Sequence, residues 1–239
     1  MSITILYEDE HMVAINKPAG LLVHRSHTSK EEPTVVDWFL LHYPTSADVG
    51  EEQTLADGSR IMRSGVVHRL DKETSGVLLL AKTNKGHASL KAQFLDHTIK
   101  KTYCAIVHEV PTVNSISIDR PISKHERDFR RFTSREGRGV SRLARTDVFV
   151  QERFEKYAIL EVRPQTGRTH QIRVHLSDEG YPVVCDRLYA PGRQCALGMN
   201  RHALHAASLT VMSMDGAQVV IEAPLPADMA GVIAMLRAA

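Results

Sequence analysis

Hydrophobic and polar residues alternate in several short runs, a pattern that is typical of half-buried β-strands. The runs "ITILYED" and "HMVAINK" predict a hairpin over residues 3–17. "KKTYCAIV" predicts one further strand, and "RTDVFVQERF" with "KYAILEVRP" predicts a pair of strands. The runs "LHAASLTVMSM" and "AQVVIEAP" flank Asp215-Gly216, a strong turn signal, and predict a hairpin near the C-terminus.

Helical spacing of apolar residues occurs in three short segments. "TVVDWFLLHY" places its apolar residues on one face, and Asn84 is a candidate cap of a helix that extends to about Asp96. A third helix follows the glycine turn of "QTGRTHQIRVHLSDEG", with Thr169 as a possible cap and Gly180 as a stop signal. The polar stretch "PTSADVGEEQTLADGS" predicts a long loop over residues 44–59.

Strands outnumber helices in this prediction, and no β-α-β alternation is visible. The sequence therefore predicts an α+β fold with a largely antiparallel, mixed β-sheet core and flanking helices and loops. Hydrophobic residues make up 43% of the 239 residues, enough for a sizeable core.

The apolar runs are too short to span a membrane, and the N-terminus shows no secretory pattern. Three cysteines at spacings unlike those of zinc sites indicate reduced thiols in a cytoplasmic protein.

Positive charge is concentrated in one segment, although the net charge is only +2. Residues 120–145 contain nine Lys or Arg residues against three acidic ones, and eight of the nine are arginine. Arginine suits bidentate contact with phosphate, so the segment favours a polyanionic partner. The segment is predicted to be irregular, and a solvated basic loop is the alternative interpretation of its charge.

The stretch "VVHRLDKETSGVLLLAKT" places charged residues directly before an apolar run. Thr74-Ser75-Gly76 between them is predicted to form a turn, so Asp71 would stand at the edge of the core. An ionised carboxylate in such a place acts as a nucleophile, a base or a metal ligand. A metal would need further ligands at suitable spacing, and the surrounding sequence offers none.

A second candidate constellation is "GRTHQIRVH", which contains Arg168, His170, Arg173 and His175. The two histidines are five residues apart rather than four, which disfavours a zinc site on a helix. Two interpretations stay open: a helix start that binds an anion, and a helix with a basic exposed face. Tyr103 carries little information by itself, because a tyrosine in a strand usually belongs to the core.

"HRLDKETSG" resembles the signature of the RluA-type pseudouridine synthases. The resemblance continues in order through "ILYEDEHMVAINKPAG", "KKTYCAIV", "PQTGRTHQIRVHL", "YPVVCDRLY", "RHALHA" and "IEAPLP". It implies a single pseudouridine synthase catalytic domain over residues 1–239 that isomerises uridine in RNA and needs no cofactor and no metal. Since the first catalytic strand begins at about Ile3, we expect no preceding RNA-binding domain of the S4 type, and the basic segment could compensate in part.

The resemblance also assigns roles to residues. Asp71 corresponds to the essential catalytic aspartate, Arg173 to the cation that keeps it ionised, and Tyr103 to the tyrosine that stacks on the uracil. Leu204 corresponds to an apolar residue of the pocket, and Arg69 to the arginine that fills the place of the flipped-out uridine. The other predicted RNA contacts are His68, Arg168, Arg127, Arg130 and Arg131.

The identity of the RNA stays open. "LLVHRS" resembles the branch that modifies tRNA, whereas "TVVDWFLLHYP" and "RSGVVHRLDKETSG" resemble the branch that acts on large-subunit ribosomal RNA, which we favour. A non-catalytic RNA-binding module is the alternative from another class. The stretch "DKETSG" superficially resembles the aspartyl-phosphate loop of a phosphoryl-transfer ATPase. That interpretation is set aside, because the sequence lacks the further aspartates of a magnesium site. We expect a cytoplasmic monomer that binds structured RNA and no membrane.

Overall fold

A computed structural model describes residues 3–25, 32–54, 58, 60–128, 130–135, 137–193 and 195–239. The chain forms two compact units. The first consists of Met1–Lys100 and Ser208–Ala223, and the second of Lys101–Ala207 and Pro224–Ala239. That residues 1–239 form a single catalytic domain stays a prediction.

The first unit is built on antiparallel strands. Its elements up to residue 95 are β1 (Thr4–Glu8), β2 (Met12–Lys17), α1 (Val35–His42), β3 (Glu52–Thr54), β4 (Arg60–Met62), β5 (Ser75–Ala81) and α2 (Asn84–Leu95). The predicted hairpin β1–β2 is confirmed, and β2 pairs on its other side with β5. The predicted long loop is wrong in part, because it contains a 3-10 helix (Pro44–Ser46) and β3, which pairs with β4 just beyond it. Residues 55–57 and 59 of the predicted loop lie outside the described residues.

Strand β5 is the most buried element of the first unit. All seven of its residues are buried, which explains why its sequence is a continuous apolar run rather than an alternating one. The core around it combines residues of β2, β5, α2 and the C-terminal hairpin with three residues of the connecting segments, Val49, Ile99 and Ala223. The members from the named elements are Met12, Ala14, Val77, Leu79, Ala81, Leu90, Leu209, Val211 and Ile221.

The two helices of this unit begin at side-chain caps. Thr34 and Asp37 form a reciprocal capping box at the start of α1. The cap of α2 is Thr83, whose hydroxyl accepts a hydrogen bond from the Gly86 N–H at 3.1 Å. Asn84 is therefore the first helical residue rather than the predicted cap.

The second unit contains a sheet with the strand order β6-β12-β11-β7, antiparallel at each pairing. Its elements are β6 (Lys100–His108), β7 (Ser115–Asp119), β8 (Ile122–Lys124), β9 (Phe132–Thr133), β10 (Arg138–Arg142), β11 (Arg145–Arg153), β12 (Tyr157–Pro164), α3 (Gln171–Asp178) and α4 (Ala227–Ala238). The predicted strand β6 and the predicted pair β11–β12 are confirmed. Helix α4, which no sequence signal identified, packs Met229, Val232, Ile233 and Leu236 into the core.

Two local predictions in the second unit are wrong. The basic segment is not irregular, because β8, β9 and β10 form a small antiparallel sheet. Helix α3 is not capped by Thr169. It is preceded by His170, which has the left-handed conformation with φ 56° and makes no side-chain cap bond.

Strands β13 (Leu204–Met212) and β14 (Gln218–Glu222) form the predicted C-terminal hairpin. Gly216 in the connecting turn has φ 83°, a conformation that favours glycine. The antiparallel pairings, together with four helices, confirm the α+β class. Across the described ranges, no helix has the length and apolar character to cross a bilayer.

Two of the three cysteines lie close together. Cys185 and Cys195 are neighbours in the second unit, with 4.3 Å between their Cα atoms. That all three cysteines are reduced thiols stays a prediction. Cys104 is a free thiol on β6, and burial raises its pKa to about 11. Sequence spacing could not indicate this proximity, since a separation of ten positions fits no periodic pattern.

Candidate active site

Asp71 stands in a tight turn immediately before the fully buried strand β5. The Thr74 N–H donates to the Asp71 carbonyl oxygen at 3.0 Å, and β5 begins at Ser75. The turn therefore comprises Asp71 to Thr74, slightly earlier than predicted. Leu70 on one side is buried, whereas Asp71 itself is half-buried. This arrangement mounts a partly accessible carboxylate on a rigid strand.

Lys17 at the end of β2 stabilises this turn through side-chain hydrogen bonds. Its side chain is fully buried, and Nζ donates to the carbonyl oxygens of Pro18, Leu21 and Lys72 at 2.8, 2.9 and 3.0 Å. The Gly20 N–H donates to the same Lys72 oxygen at 2.9 Å. Two segments that are 55 residues apart in the chain are thus joined beside Asp71.

The two residues before Leu70 differ in their surroundings. The His68 ring stacks on Phe94, and its Nε2 accepts a hydrogen bond from the Leu79 N–H at 2.8 Å. This contact gives His68 a structural role, and its predicted contact with RNA stays a prediction. Arg69 is exposed, as a residue that enters an RNA stack has to be.

A pair of basic side chains lies elsewhere in the first unit. Nη2 of Arg63, the residue after β4, lies 2.6 Å from Nε2 of His24. Burial, followed by the charges of Arg63 and Arg69, lowers the pKa of His24 to about 4. Burial and the charge of Arg69 also lower the pKa of Arg63. The three residues therefore share a positive electrostatic environment.

Arg173 lies on α3 in the second unit and forms a buried ion pair with Asp186. Nε and Nη2 of Arg173 donate to the two carboxylate oxygens at 2.6 and 2.9 Å. The backbone N–H groups of Leu188 and Tyr189 donate to Asp186 Oδ1, each at 3.0 Å. The Tyr189 ring covers the guanidinium, with 5.0 Å from Arg173 Cζ to the ring centroid. Arg173 is therefore held by a dense set of contacts.

Tyr103 and Leu204 also belong to the second unit. Tyr103 is half-buried on β6 and packs against the apolar core of this unit, and Leu204 is a buried member of that core. Lys101 is two residues before Tyr103, so both side chains are on one face of β6. Nζ of Lys101 donates to the Thr166 carbonyl oxygen at 3.1 Å, and burial lowers its pKa to about 8.

The side chains of the "GRTHQIRVH" constellation do not converge on one ligand. Arg168 donates from Nε to the Leu143 carbonyl oxygen at 3.0 Å. His170 Nδ1 lies 2.8 Å from the Tyr189 hydroxyl oxygen, and the fully buried His175 bonds to Thr146 and to the Arg120 carbonyl oxygen. Within the part of the chain that the structure describes, no group of three or more His, Cys, Asp or Glu side chains could hold a metal ion.

The predicted basic residues have different surroundings. Arg127 is exposed, and Arg130 forms a bidentate pair with Asp128 at 3.0 and 2.9 Å. Arg131 is half-buried and lies over the Tyr189 ring, with 5.6 Å from Cζ to the centroid. Arg127 and Arg130 are thus both exposed, and of these two Arg130 is engaged by a carboxylate.

Comparison with known proteins gives a consistent family assignment. Residues 11–178 match the family model described as RNA pseudouridylate synthase. The chain is 36% identical over 242 residues to "Uncharacterized RNA pseudouridine synthase YlyB" of Bacillus subtilis (strain 168), covering 99% of this chain and 74% of that protein. The chain belongs to the RNA pseudouridine synthase family.

Other family members agree with this assignment. The chain is 35% identical over 240 residues to "Ribosomal large subunit pseudouridine synthase D" of Zymomonas mobilis, covering 97% of this chain and 72% of that protein. A solved structure titled "Human RNA Pseudouridylate Synthase Domain Containing 4" superposes with a TM-score of 0.74 at 24% identity. It covers 98% of this chain and 92% of the human chain, which supports the pseudouridine synthase fold.

The residues assigned to pseudouridine synthase chemistry are distributed over both units. Asp71 and Arg69 belong to the first unit, and Tyr103, Arg173 and Leu204 to the second. Because Asp71 and Arg173 lie in different units, their pairing stays a prediction.

Sequence reasoning missed Lys17, His24, Arg63 and Asp186. A lysine in an otherwise apolar run was the available signal for Lys17, because a charged residue there needs buried partners. The stretches "LLVHRS" and "YPVVCDRLY" contain His24 and Asp186, yet neither stretch indicates its partner.

Proposed function

We propose that this RNA pseudouridine synthase modifies uridines in large-subunit ribosomal RNA, with Asp71 as its catalytic carboxylate. The position of Asp71, in a turn fixed to the buried strand β5 by backbone and Lys17 contacts, is the observation that carries the proposal. Several of the related proteins are named as ribosomal large subunit pseudouridine synthases, which favours this class of RNA.

The reaction is an isomerisation and consumes no co-substrate. The bond from N1 of uracil to C1′ of the ribose breaks, the base rotates while it is held, and C5 bonds to C1′. The proton that leaves C5 is balanced by the proton that N1 gains. Because a uridine inside a folded RNA is out of reach, it has to be flipped out. By family resemblance we assign Arg69, which is exposed, to the gap that the uridine leaves.

The carboxylate has to be ionised to act, which calls for a nearby cation. By family resemblance we assign this role to Arg173, and the stacking on uracil to Tyr103. The firm anchoring of Arg173 by Asp186 and Tyr189 fits a group that must keep one orientation. Leu204 in the core of the same unit supports the surface on which the base packs.

A tritium-release assay tests the role of Asp71. RNA labelled with tritium at C5 of uridine releases the label only when C5 bonds to C1′. We expect Asp71→Asn to abolish release while RNA affinity persists, because the amide keeps the shape and removes the charge. Asp96→Asn, an exposed acid at the end of α2, is the matched control and should behave like wild type. Turnover of Asp71→Asn within about tenfold of wild type would contradict the assignment.

A second experiment identifies the RNA. Pseudouridines are mapped in a strain that lacks this protein and in the same strain complemented with wild type or Asp71→Asn. We expect a site in large-subunit ribosomal RNA that returns with wild type and not with Asp71→Asn. A site that returns only in tRNA would replace ribosomal RNA as the substrate. RNA binding without any restored site would support the non-catalytic alternative.

A further inference from the structure

The contact between Arg63 and His24 fixes the protonation of the histidine. A guanidinium group only donates hydrogen bonds, so Nε2 of His24 must be the acceptor at 2.6 Å. The imidazole is therefore neutral, and its proton is on Nδ1. The pKa of about 4 agrees with a neutral ring at physiological pH. The pair thus presents N–H groups and a net positive charge.

Two of these N–H groups are unsatisfied. Nδ1 of His24 and Nε of Arg63 are buried and have no hydrogen-bond partner among the residues that the structure describes. Buried donors without acceptors are costly, and natural proteins contain few of them. Two such donors on adjacent side chains indicate that an acceptor from outside the chain completes the arrangement.

The charge of the cluster is also uncompensated. Neighbouring cations of the first unit have carboxylate partners: Arg25 pairs with Asp37 at 2.8 Å and Lys72 with Glu32 at 2.6 Å. Over the described ranges, no carboxylate forms an ion pair with Arg63 or with Arg69. Burial and then the charge of Arg69 lower the pKa of Arg63, and a bound anion would offset both effects.

The backbone that bears Arg63 is firmly held. The Arg63 N–H donates to the Glu51 carbonyl oxygen at 3.1 Å, and the Ser64 hydroxyl donates to the Ala47 carbonyl oxygen at 2.6 Å. Gly65 has φ 72°, and a Cβ atom there would lie 2.7 Å from the Phe39 ring. The backbone position of Arg63 is therefore set before any ligand binds.

We infer that Arg63 and His24 form a binding site for a phosphate group of the RNA backbone, to which the charge of Arg69 adds positive potential. Phosphate oxygens accept hydrogen bonds from Arg63 Nε and His24 Nδ1, and the negative charge neutralises the two arginines. Both donor atoms are buried, so binding requires the two side chains to turn toward the phosphate on their fixed backbone. Because Arg69 is two residues before Asp71, the bound phosphate belongs to the target nucleotide or to a neighbour of it. This inference rests on the proposed function, in that RNA is the ligand.

The test is a thermodynamic cycle between one arginine and one phosphate. The probe is a synthetic stem-loop of large-subunit ribosomal RNA in which one linkage at a time is a neutral methylphosphonate. Affinity for full-length wild type and Arg63→Gln is measured by fluorescence anisotropy over a range of KCl concentrations. Arg60→Gln is the matched control, because Arg60 is an exposed arginine three residues earlier that pairs with Glu52.

We expect Arg63→Gln to weaken binding and to lower the slope of log affinity against log salt by about 0.7–0.9, the effect of removing one phosphate from the interface. One methylphosphonate position should weaken wild type and leave the affinity of Arg63→Gln unchanged. Arg60→Gln should keep the wild-type slope and the wild-type sensitivity to that position. The inference would be overturned if Arg63→Gln kept the wild-type salt slope and if each methylphosphonate weakened the binding of Arg63→Gln as much as that of wild type.

Two further arms complete the experiment. Inorganic phosphate at constant ionic strength should compete only weakly, and strong competition without a sensitive linkage would reassign the site to a free phosphate. If Arg63→Gln does not fold, the same affinities are measured for His24→Gln and Arg63→Lys. The first removes the imidazole donor, and the second keeps the charge but removes the guanidinium geometry. Binding is measured without turnover, so a protein that shows the sensitive linkage but forms no pseudouridine contradicts the proposed function and not the site.

Discussion

The side chains of Arg173 and Asp186 form an ion pair from which solvent is almost excluded, with 8% and 0% of their surfaces exposed. Burial alone would raise the pKa of Asp186. The hydrogen bonds and the charge of Arg173 outweigh that effect and hold the pKa below its ordinary value. The carboxylate is therefore ionised at neutral pH, and the cation that we assign to the reaction depends on it for its orientation.

Asp186→Asn should be strongly destabilising. The amide leaves the buried guanidinium without its counter-charge, and breaking a buried pair in this way costs about 3–5 kcal/mol of the free energy of unfolding. Urea unfolding at neutral pH measures the decrease. Glu52→Gln, which removes the partner of the exposed Arg60, should change stability by less than about 1 kcal/mol. Equal effects of the two substitutions would show that burial of the pair does not matter.

Lys17→Met should reduce both stability and turnover. Methionine fills similar space but leaves the carbonyl oxygens of Pro18, Leu21 and Lys72 without their donor. Unsatisfied buried acceptors cost about 1–3 kcal/mol each, so we expect a decrease of about 3 kcal/mol or more in the free energy of unfolding. At a temperature where the variant is folded, kcat should fall as well, because Lys72 directly follows Asp71.

Urea unfolding and tritium release together test this prediction. Lys85→Met, on the exposed side of α2, is the control and should match wild type in both measurements. A decrease in stability with unchanged kcat would mean that Lys17 supports the fold without positioning the catalytic turn.

The elements that sequence predicted correctly are those whose pattern is local. The alternation in β11 and β12 and the Asp215-Gly216 turn each depend on residues close together in the chain, and each was identified. Helix α4 was missed because its buried face has four residues among alanines, a weak signal until the core that receives them is known. The sheet β8–β10 was missed because its sequence is too basic to show a strand period.

In the candidate site, too, residues marked by a local pattern were predicted and residues defined by long-range contacts were missed. Asp71 could be identified because a charged cluster meets an apolar run within a few residues and matches a family signature. Lys17 bonds to Lys72, 55 residues away, and Arg63 meets His24 at a separation of 39, so neither partner is visible in a local pattern. Such long-range polar contacts become apparent only when the strands are assembled.

His24 should make the protein sensitive to mild acid. The folded chain takes up a proton on this ring only near pH 4, whereas the unfolded chain does so near pH 6.5. Because the unfolded state binds more protons in this window, stability decreases as the pH falls from about 6.5 toward 4. We expect the stability of His24→Gln to decrease less over that range than that of wild type.

Thermal unfolding at a series of pH values measures the difference. His97→Gln replaces an exposed histidine at the end of α2 and should keep the wild-type dependence on pH. If the stabilities of His24→Gln and wild type decrease in parallel, the ring takes up its proton at the same pH in the folded and the unfolded chain, and its contact with Arg63 is misassigned.

The last prediction concerns which arginines of the basic segment contact RNA. Arg130 is engaged by Asp128 and Arg131 by the Tyr189 ring, so neither is the best test of RNA contact. Arg127 and Arg142 are exposed, and all five residues of β10, which includes Arg142, are exposed. We expect these two arginines to contact the RNA backbone.

Arg127→Gln combined with Arg142→Gln should therefore weaken RNA binding and lower the salt slope by about 0.7–0.9 for each arginine that binds a phosphate. Single-turnover rates at saturating RNA should be unchanged, because Asp71, Tyr103 and Arg173 are intact. Arg131→Gln should instead lower the melting temperature, since its guanidinium packs on Tyr189. Lys156→Gln, an exposed cation of the same unit, is the control. If the double variant keeps the wild-type slope, these arginines face solvent and the charge of the segment has no part in RNA recognition.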